Sequence, residues 1–241
     1  MAEEKMAWAR QPDDRQWAGP EGEDPRTLYQ MLMTSVERFG NEPCFGYIPG
    51  EGMERVHLNY NEFGELATSV AKRLNDAGVN AGDRVAIILD NSVEWAALSY
   101  GANAIGAAYT AMYTHQHGSE WAYILGDSTP AILAVANVKV LDKLVDNLPS
   151  DANAWPSCGI ILLGDEEANK LPPEGIEIHK WAEFVAAGRA SENEFEIADD
   201  PFALNTLIYT SGTTGNPKGV MLTNWNTSVS YTHLTLPTSL A

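Results

Sequence analysis

Short apolar runs alternate with amphipathic stretches along most of this chain, and that alternation limits the fold more than any other feature. A strand covered on both faces reads as a near-continuous apolar run, whereas a helix lying on a sheet repeats its apolar residues three and four apart. Residues 84–89 (Arg-Val-Ala-Ile-Ile-Leu), 108–113, 131–135, 159–163 and 204–209 fit the first pattern, the last of them as the final strand. Helical spacing covers residues 27–39, through Leu28, Met31, Leu32 and Val36, and residues 60–77, through Phe63, Leu66, Val70 and Leu74. Asn59 and Glu62 have the spacing of a capping box before the second helix, and Gly78 stands where its C-terminal cap belongs. A helix capped by Ser92 carries Trp95, Leu98 and Ala102; others are predicted over 119–125, 138–147 and 181–187. Gly40, Pro43, Pro49 and Gly50 mark turns, while 165–173 and 190–201 are charged, apolar-poor and expected to be solvated loops. Strands alternating with helices imply an α/β fold with a largely parallel sheet.

The charge balance narrows the function. Fifteen basic against 33 acidic residues leave a net charge of −18, which repels nucleic-acid backbones and anionic lipid heads, so no nucleic-acid partner is expected. No apolar run approaches the roughly 20 residues of a membrane-spanning helix, though peripheral contact with a membrane stays open. Cys44 and Cys158 match no metal spacing and read as buried thiols of a reducing compartment, with a cytoplasmic location as the default.

The chemistry concentrates in one segment. After the apolar strand ending at Tyr209 come Thr210, Ser211, Gly212, Thr213, Thr214, Gly215, Asn216, Pro217, Lys218 and Gly219. Four hydroxyl donors, glycines that admit close backbone approach and one mobile cation after a buried strand make a phosphate cradle. A P-loop of the Walker type needs four residues between its glycines and then Gly-Lys-Ser/Thr. Here two residues separate Gly212 from Gly215, and Lys218 precedes Gly219, so that reading fails.

Tyr209-Thr-Ser-Gly-Thr-Thr-Gly-Asn-Pro-Lys-Gly219 resembles the signature loop of the adenylate-forming superfamily of acyl-CoA synthetases, luciferases and peptide-synthetase adenylation domains. Leu58-Asn-Tyr-Asn-Glu-Phe-Gly-Glu-Leu66, Gly82-Asp-Arg-Val-Ala-Ile-Ile-Leu89 and Gly106-Ala-Ala-Tyr109 are similar to earlier segments of the family, and Asn224 stands where it usually has His or Asn. The resemblance implies an incomplete N-terminal domain of an adenylate-forming enzyme over residues 27–227, after an irregular arm (1–26) that Trp8 and Trp17 could dock. It implies ATP, Mg²⁺ and coenzyme A as cofactors and a small-molecule carboxylic acid as partner. Thr210, Ser211, Gly212, Thr213, Thr214, Gly215 and Lys218 would hold the ATP phosphates, with Thr214 as a metal contact. No covalent role falls to Ser211 or Lys218. The activity implied is fatty-acid, long-chain CoA ligation, with an aryl-acid or amino-acid adenylation domain as the alternative within the superfamily. The family's later segments, for adenine, ribose and the reacting carboxylate, are absent, so the isolated chain is expected to be inactive. It could bind nucleotide phosphates without turnover, or be a non-functional fragment. Val229-Ser-Tyr-Thr-His-Leu-Thr-Leu-Pro-Thr238 coincides with a translated transposon-end sequencing adapter, so residues 228–241 are expected to be an artefactual tail.

Other signals are weaker. His115 and His117 lack further ligands and suit a loop rim rather than zinc. Asp165-Glu-Glu167 suits a solvated loop. Trp95 and Trp121 fall on apolar helix faces and are expected in the core. Asp83 and Arg84 could pair where the first long strand begins, and Tyr113 lies where a family segment nears the substrate.

Overall fold

The computed structural model describes residues 27–48, 54–210 and 216–228. Helix α1 (Leu28–Phe39) starts at a capping box in which Gln30 N donates to the Thr27 side chain and Thr27 N donates to the Gln30 side chain. Strands β1 (Pro43–Tyr47) and β2 (Val56–Asn59) then pair antiparallel. The sequence reading took this stretch as turns alone, since its prolines and glycines mask a short exposed hairpin that buries little. Helix α2 (Tyr60–Asp76) opens on the expected Asn59–Glu62 box, and Gly78 follows it at φ +94°, a conformation glycine adopts freely.

The α/β alternation follows: β3 (Arg84–Ile88), α3 (Val93–Ala104), β4 (Ala108–Met112), α4 (Gly118–Ser128), β5 (Ile132–Val135), α5 (Val138–Asn147), β6 (Ile160–Leu162), β7 (Ile178–Lys180), α6 (Trp181–Ala190), β8 (Leu204–Thr210) and β9 (Lys218–Thr223). Among the described residues, one sheet has the order β7-β6-β5-β3-β4-β8-β9. All its neighbours are parallel except β8 and β9. Strand β8 is therefore not the last. The run 218–223 was missed because glycine and lysine at its start read as part of the loop. Strand β7, three residues long, was missed for want of length.

The sheet is buried on both faces, as its apolar runs require. Val85, Ile87 and Leu89 pack towards α1, α2, α3 and α6, and Ala86 and Ile88 towards α4 and α5. Helix α3 is apolar nearly all round because it is sandwiched between the sheet and the α1–α2 layer. Trp121 is fully buried as expected, whereas Trp95 is half-buried, edge-on to Tyr109 with ring centroids 5.6 Å apart.

Residues 191–200 form the solvated loop expected, without secondary structure and mostly exposed, and it is tied to the body at three points. Lys72 Nζ donates to Ser191 O (3.1 Å), Asn193 Nδ2 to Asp76 Oδ1 (2.7 Å) and Ala198 N to Ala104 O (2.9 Å). Arg84 does not use its charge on Asp83. Its guanidinium donates to the carbonyls of Gly82, Ser128 and Thr129, holding Thr129 in a left-handed conformation at φ 43°. Cys44 and Cys158 are free thiols but only half-buried.

Candidate functional site

Strands β3 and β5 are neighbours whose following helices lie on opposite faces, α3 on one and α5 on the other, so the strand order reverses between them. The carboxyl ends of strands beside such a reversal are where open α/β sheets bind ligands. Thr114 Oγ1, after β4, donates to Asp90 Oδ1, after β3, at 2.7 Å. Strand β8 runs parallel to β4, with Tyr109 opposite Thr206 and Thr110 opposite Leu207, so its carboxyl end emerges on the same side.

The proposed phosphate segment leaves from that end. Thr210 and Lys218 are the outermost pair of the β8–β9 ladder, and both are exposed. Cross-strand partners share a face, so the hydroxyl and the ammonium stand side by side at the mouth of the loop. Ser211, Gly212, Thr213, Thr214 and Gly215 lie outside the described residues. Gly219, read from the sequence as room for a ligand, has another use. A Cβ there would come within 3.0 Å of the Tyr209 ring, which lies across it.

Tyr209 extends beyond the hairpin and its hydroxyl donates to Asp127 Oδ2 on α4 at 2.6 Å. Burial, and then the Asp127 hydrogen bond and charge, push the phenol's pKa well above the ordinary tyrosine range. Sequence reading assigned neither residue a role. Tyr209 appeared as a strand end and the first residue of the signature segment, and nothing local marks Asp127, because their contact spans 82 positions.

The base of the hairpin is held by buried amides. A bulge between Leu204 and Thr206 frees Asn205 from the ladder, as bulges do when they re-aim a side chain. Asn205 Nδ2 donates to Asn224 Oδ1 (2.8 Å) and to Asn103 Oδ1, while Asn103 Nδ2 donates to Ala107 O (3.0 Å) and Asn205 O (3.2 Å). Asn224 Oδ1 also accepts from Leu28 N at 3.2 Å, tying the hairpin to the start of α1. Asn224, singled out by resemblance, thus points into the protein rather than towards a ligand.

The remaining candidates stay apart from this site or at its edge. His115 and His117 are exposed, and among the described residues no group of three or more His, Cys, Asp or Glu could hold a metal. Tyr113, 67% exposed, leans on the His115 ring with centroids 5.4 Å apart; its backbone carbonyl accepts from Trp121 Nε1 at 3.1 Å. A hydroxyl and a lysine at the end of a parallel strand suit a polyphosphate.

A family model described as AMP-binding enzyme matches residues 32–239. The chain belongs to the AMP-binding enzyme family. Among the relatives of this AMP-binding enzyme, the long-chain-fatty-acid–CoA ligase ACSBG2 of Homo sapiens is 31% identical over 213 residues, covering 86% of the chain and 30% of the relative. The chain therefore spans about a third of the curated protein it matches. The adenylation domain of a carboxylate reductase from Mycobacterium chelonae superposes with a TM-score of 0.68 at 23% identity, over 91% of this chain and 37% of that one. The anthranilate CoA ligase AuaEII, solved with anthranoyl-AMP, superposes at 0.64 with 21% identity, over 82% and 35%. These likenesses place the AMP-binding chain in the fold of adenylate-forming N-terminal domains. Among its described residues, no helix is long and apolar enough to cross a membrane.

Proposed function

We propose that this chain supplies the phosphate-holding part of an ATP-dependent ligase that activates a carboxylic acid as an acyl-adenylate and transfers the acyl group to coenzyme A. A long-chain fatty acid is the acid we assign, on the strength of the fatty-acid–CoA ligase relative. The observation that carries the reading is the β8–β9 hairpin, which brings Thr210 and Lys218 together at the carboxyl end of the parallel strand β8. Lys218 and the loop hydroxyls hold and neutralise the outer phosphates of ATP, where negative charge grows on the leaving pyrophosphate. Mg²⁺, bound with the nucleotide, supplies further neutralisation of that charge. Thr214 remains the proposed metal contact. Ser211 and Lys218 bind and orient and form no covalent bond. The free thiols Cys44 and Cys158 suit a cytoplasmic, reducing setting.

Because the chain spans 30% of its human relative, a second reading is that it binds nucleotide phosphates alone and completes no half-reaction. Calorimetric titration with Mg-ATP tests the shared premise. The chain is expected to bind, and Lys218→Ala to weaken binding at least about tenfold, the loss of one charge-assisted hydrogen bond. No heat of binding up to millimolar Mg-ATP would overturn both readings. Binding without release of pyrophosphate when fatty acid is added would select the second.

A further inference from the structure

We propose that Asp127, outside the phosphate segment, is a positioning residue for it, acting through Tyr209. The inference rests on the phosphate-holding reading above. Tyr209 stands between two anchors. Its hydroxyl donates to Asp127 Oδ2 at 2.6 Å, and its ring lies over Gly219, close enough that a Cβ at that position would meet the ring at 3.0 Å. Thr210 and Lys218 are the immediate neighbours of this pair, and they pair with each other in the same ladder. The ring therefore presses on the β9 stem next to Lys218, while the hydroxyl fixes the β8 stem next to Thr210 to helix α4. Asp127 is held in turn by its helix: Asp127 lies in the last turn of α4, whose Trp121, Ile124 and Leu125 are buried against the sheet. The other polar links of the hairpin to the body, the β4–β8 pairing at Thr206 and Leu207, the Thr206 Oγ1 bond to Tyr109 O and the amides of Asn205 and Asn224, lie further from the tip. Without Asp127, the tip that carries Lys218 keeps its ladder bonds and the packing of the Tyr209 ring on the core. The two partners lie on separate elements, so neither a strand pattern nor a helix pattern carries the contact.

Amide hydrogen exchange on the ligand-free chain tests the clamp directly. Asp127→Ala and Tyr209→Phe are each expected to speed exchange of the Lys218 and Gly219 amides about tenfold and to leave Leu222, at the base, unchanged. The double variant is expected to do no more than either single change, since both remove one interaction. Asp127→Asn, which keeps an oxygen acceptor, is expected to restore most of the protection. Unchanged exchange at Lys218 and Gly219 in both single variants overturns the clamp, whether or not the chain binds nucleotide. In the second arm, Mg-ATP titration of the same variants is expected to show binding weakened about tenfold in Asp127→Ala and largely restored in Asp127→Asn. Faster exchange with undiminished Mg-ATP affinity would leave a structural tie and overturn the positioning role. A wild-type chain that binds no Mg-ATP overturns the phosphate-holding reading and with it the positioning role, and the exchange arm still decides the contact.

Discussion

Single residues at helix and strand crossings set the tolerances of this protein. Gly188 on α6 faces the Ser69 carbonyl of α2 so closely that a Cβ would run into the backbone oxygen. Gly188→Ala is expected to force the two helices apart and cost about 3 kcal/mol, read as a lower midpoint in denaturant unfolding. An unchanged midpoint would mean that α6 does not pack as described. Tyr209 gives a pH signature. Its folded pKa is raised, so the protein holds the neutral phenol more tightly than the unfolded chain does. Its contribution is complete below about pH 10, where an unfolded tyrosine begins to ionise, and declines as pH rises above that. Wild type is therefore expected to lose more stability than Tyr209→Phe between pH 9 and 11, about the tyrosine range. Parallel curves for the two proteins would refute the raised phenol pKa, which burial and then Asp127 impose. Lys218 was readable from sequence because its chemistry lies in a contiguous run. Asp127 was not, because its meaning depends on a strand brought beside α4 by the fold.

At the scale of elements, start signals were the most legible part of the sequence. Asn59 and Glu62 announced α2, and both halves of the box form, with Glu62 N to Asn59 Oδ1 at 2.9 Å and Asn59 N to Glu62 Oε2 at 2.8 Å. Asn59→Ala is expected to cost about 1 kcal/mol, measurable by thermal unfolding. A null effect would mean that water caps the helix equally well. Strands β3, β5 and β6 were legible because residues buried on both faces leave an apolar run. The hairpin β1–β2 and the edge strands β7 and β9 were not, because exposed strands need no such run and hold their place by backbone pairing. The 191–200 segment was legible as a solvated loop, but its ties to the body escaped for a related reason. Its anchors are a carbonyl, an amide N–H and the Asn193 side chain, and only the last leaves a mark in composition.

For the whole molecule, apolar burial is organised on two faces of one sheet and thins towards β9. Ile208 and Val220 face each other across β8 and β9 and are 46% and 43% exposed. Among the described residues β9 is also the end strand of the sheet, with one row of backbone groups unpaired. An exposed apolar edge invites strand-to-strand association. Val220→Lys is expected to reduce concentration-dependent self-association in sedimentation velocity without lowering the unfolding midpoint. Equal association in both proteins would place the sticky surface elsewhere. The net charge of −18 opposes association at low salt, so the difference should widen as salt screens it.

The sequence by itself determined the α/β class, the helices with caps and apolar faces and the buried strands, and it singled out the segment from Thr210 to Lys218 as the candidate phosphate site, because each is written in neighbouring residues through periodicity, turn chemistry or a contiguous motif. Only the tertiary structure decided the strand order, its reversal between β3 and β5, the amide cluster of Asn103, Asn205 and Asn224, and the tie of Tyr209 to Asp127. The physical reason is the range of the forces concerned. Helix caps and hydrophobic patterns act within a few residues, whereas hydrogen bonds between distant side chains form only after burial has chosen which strands lie together.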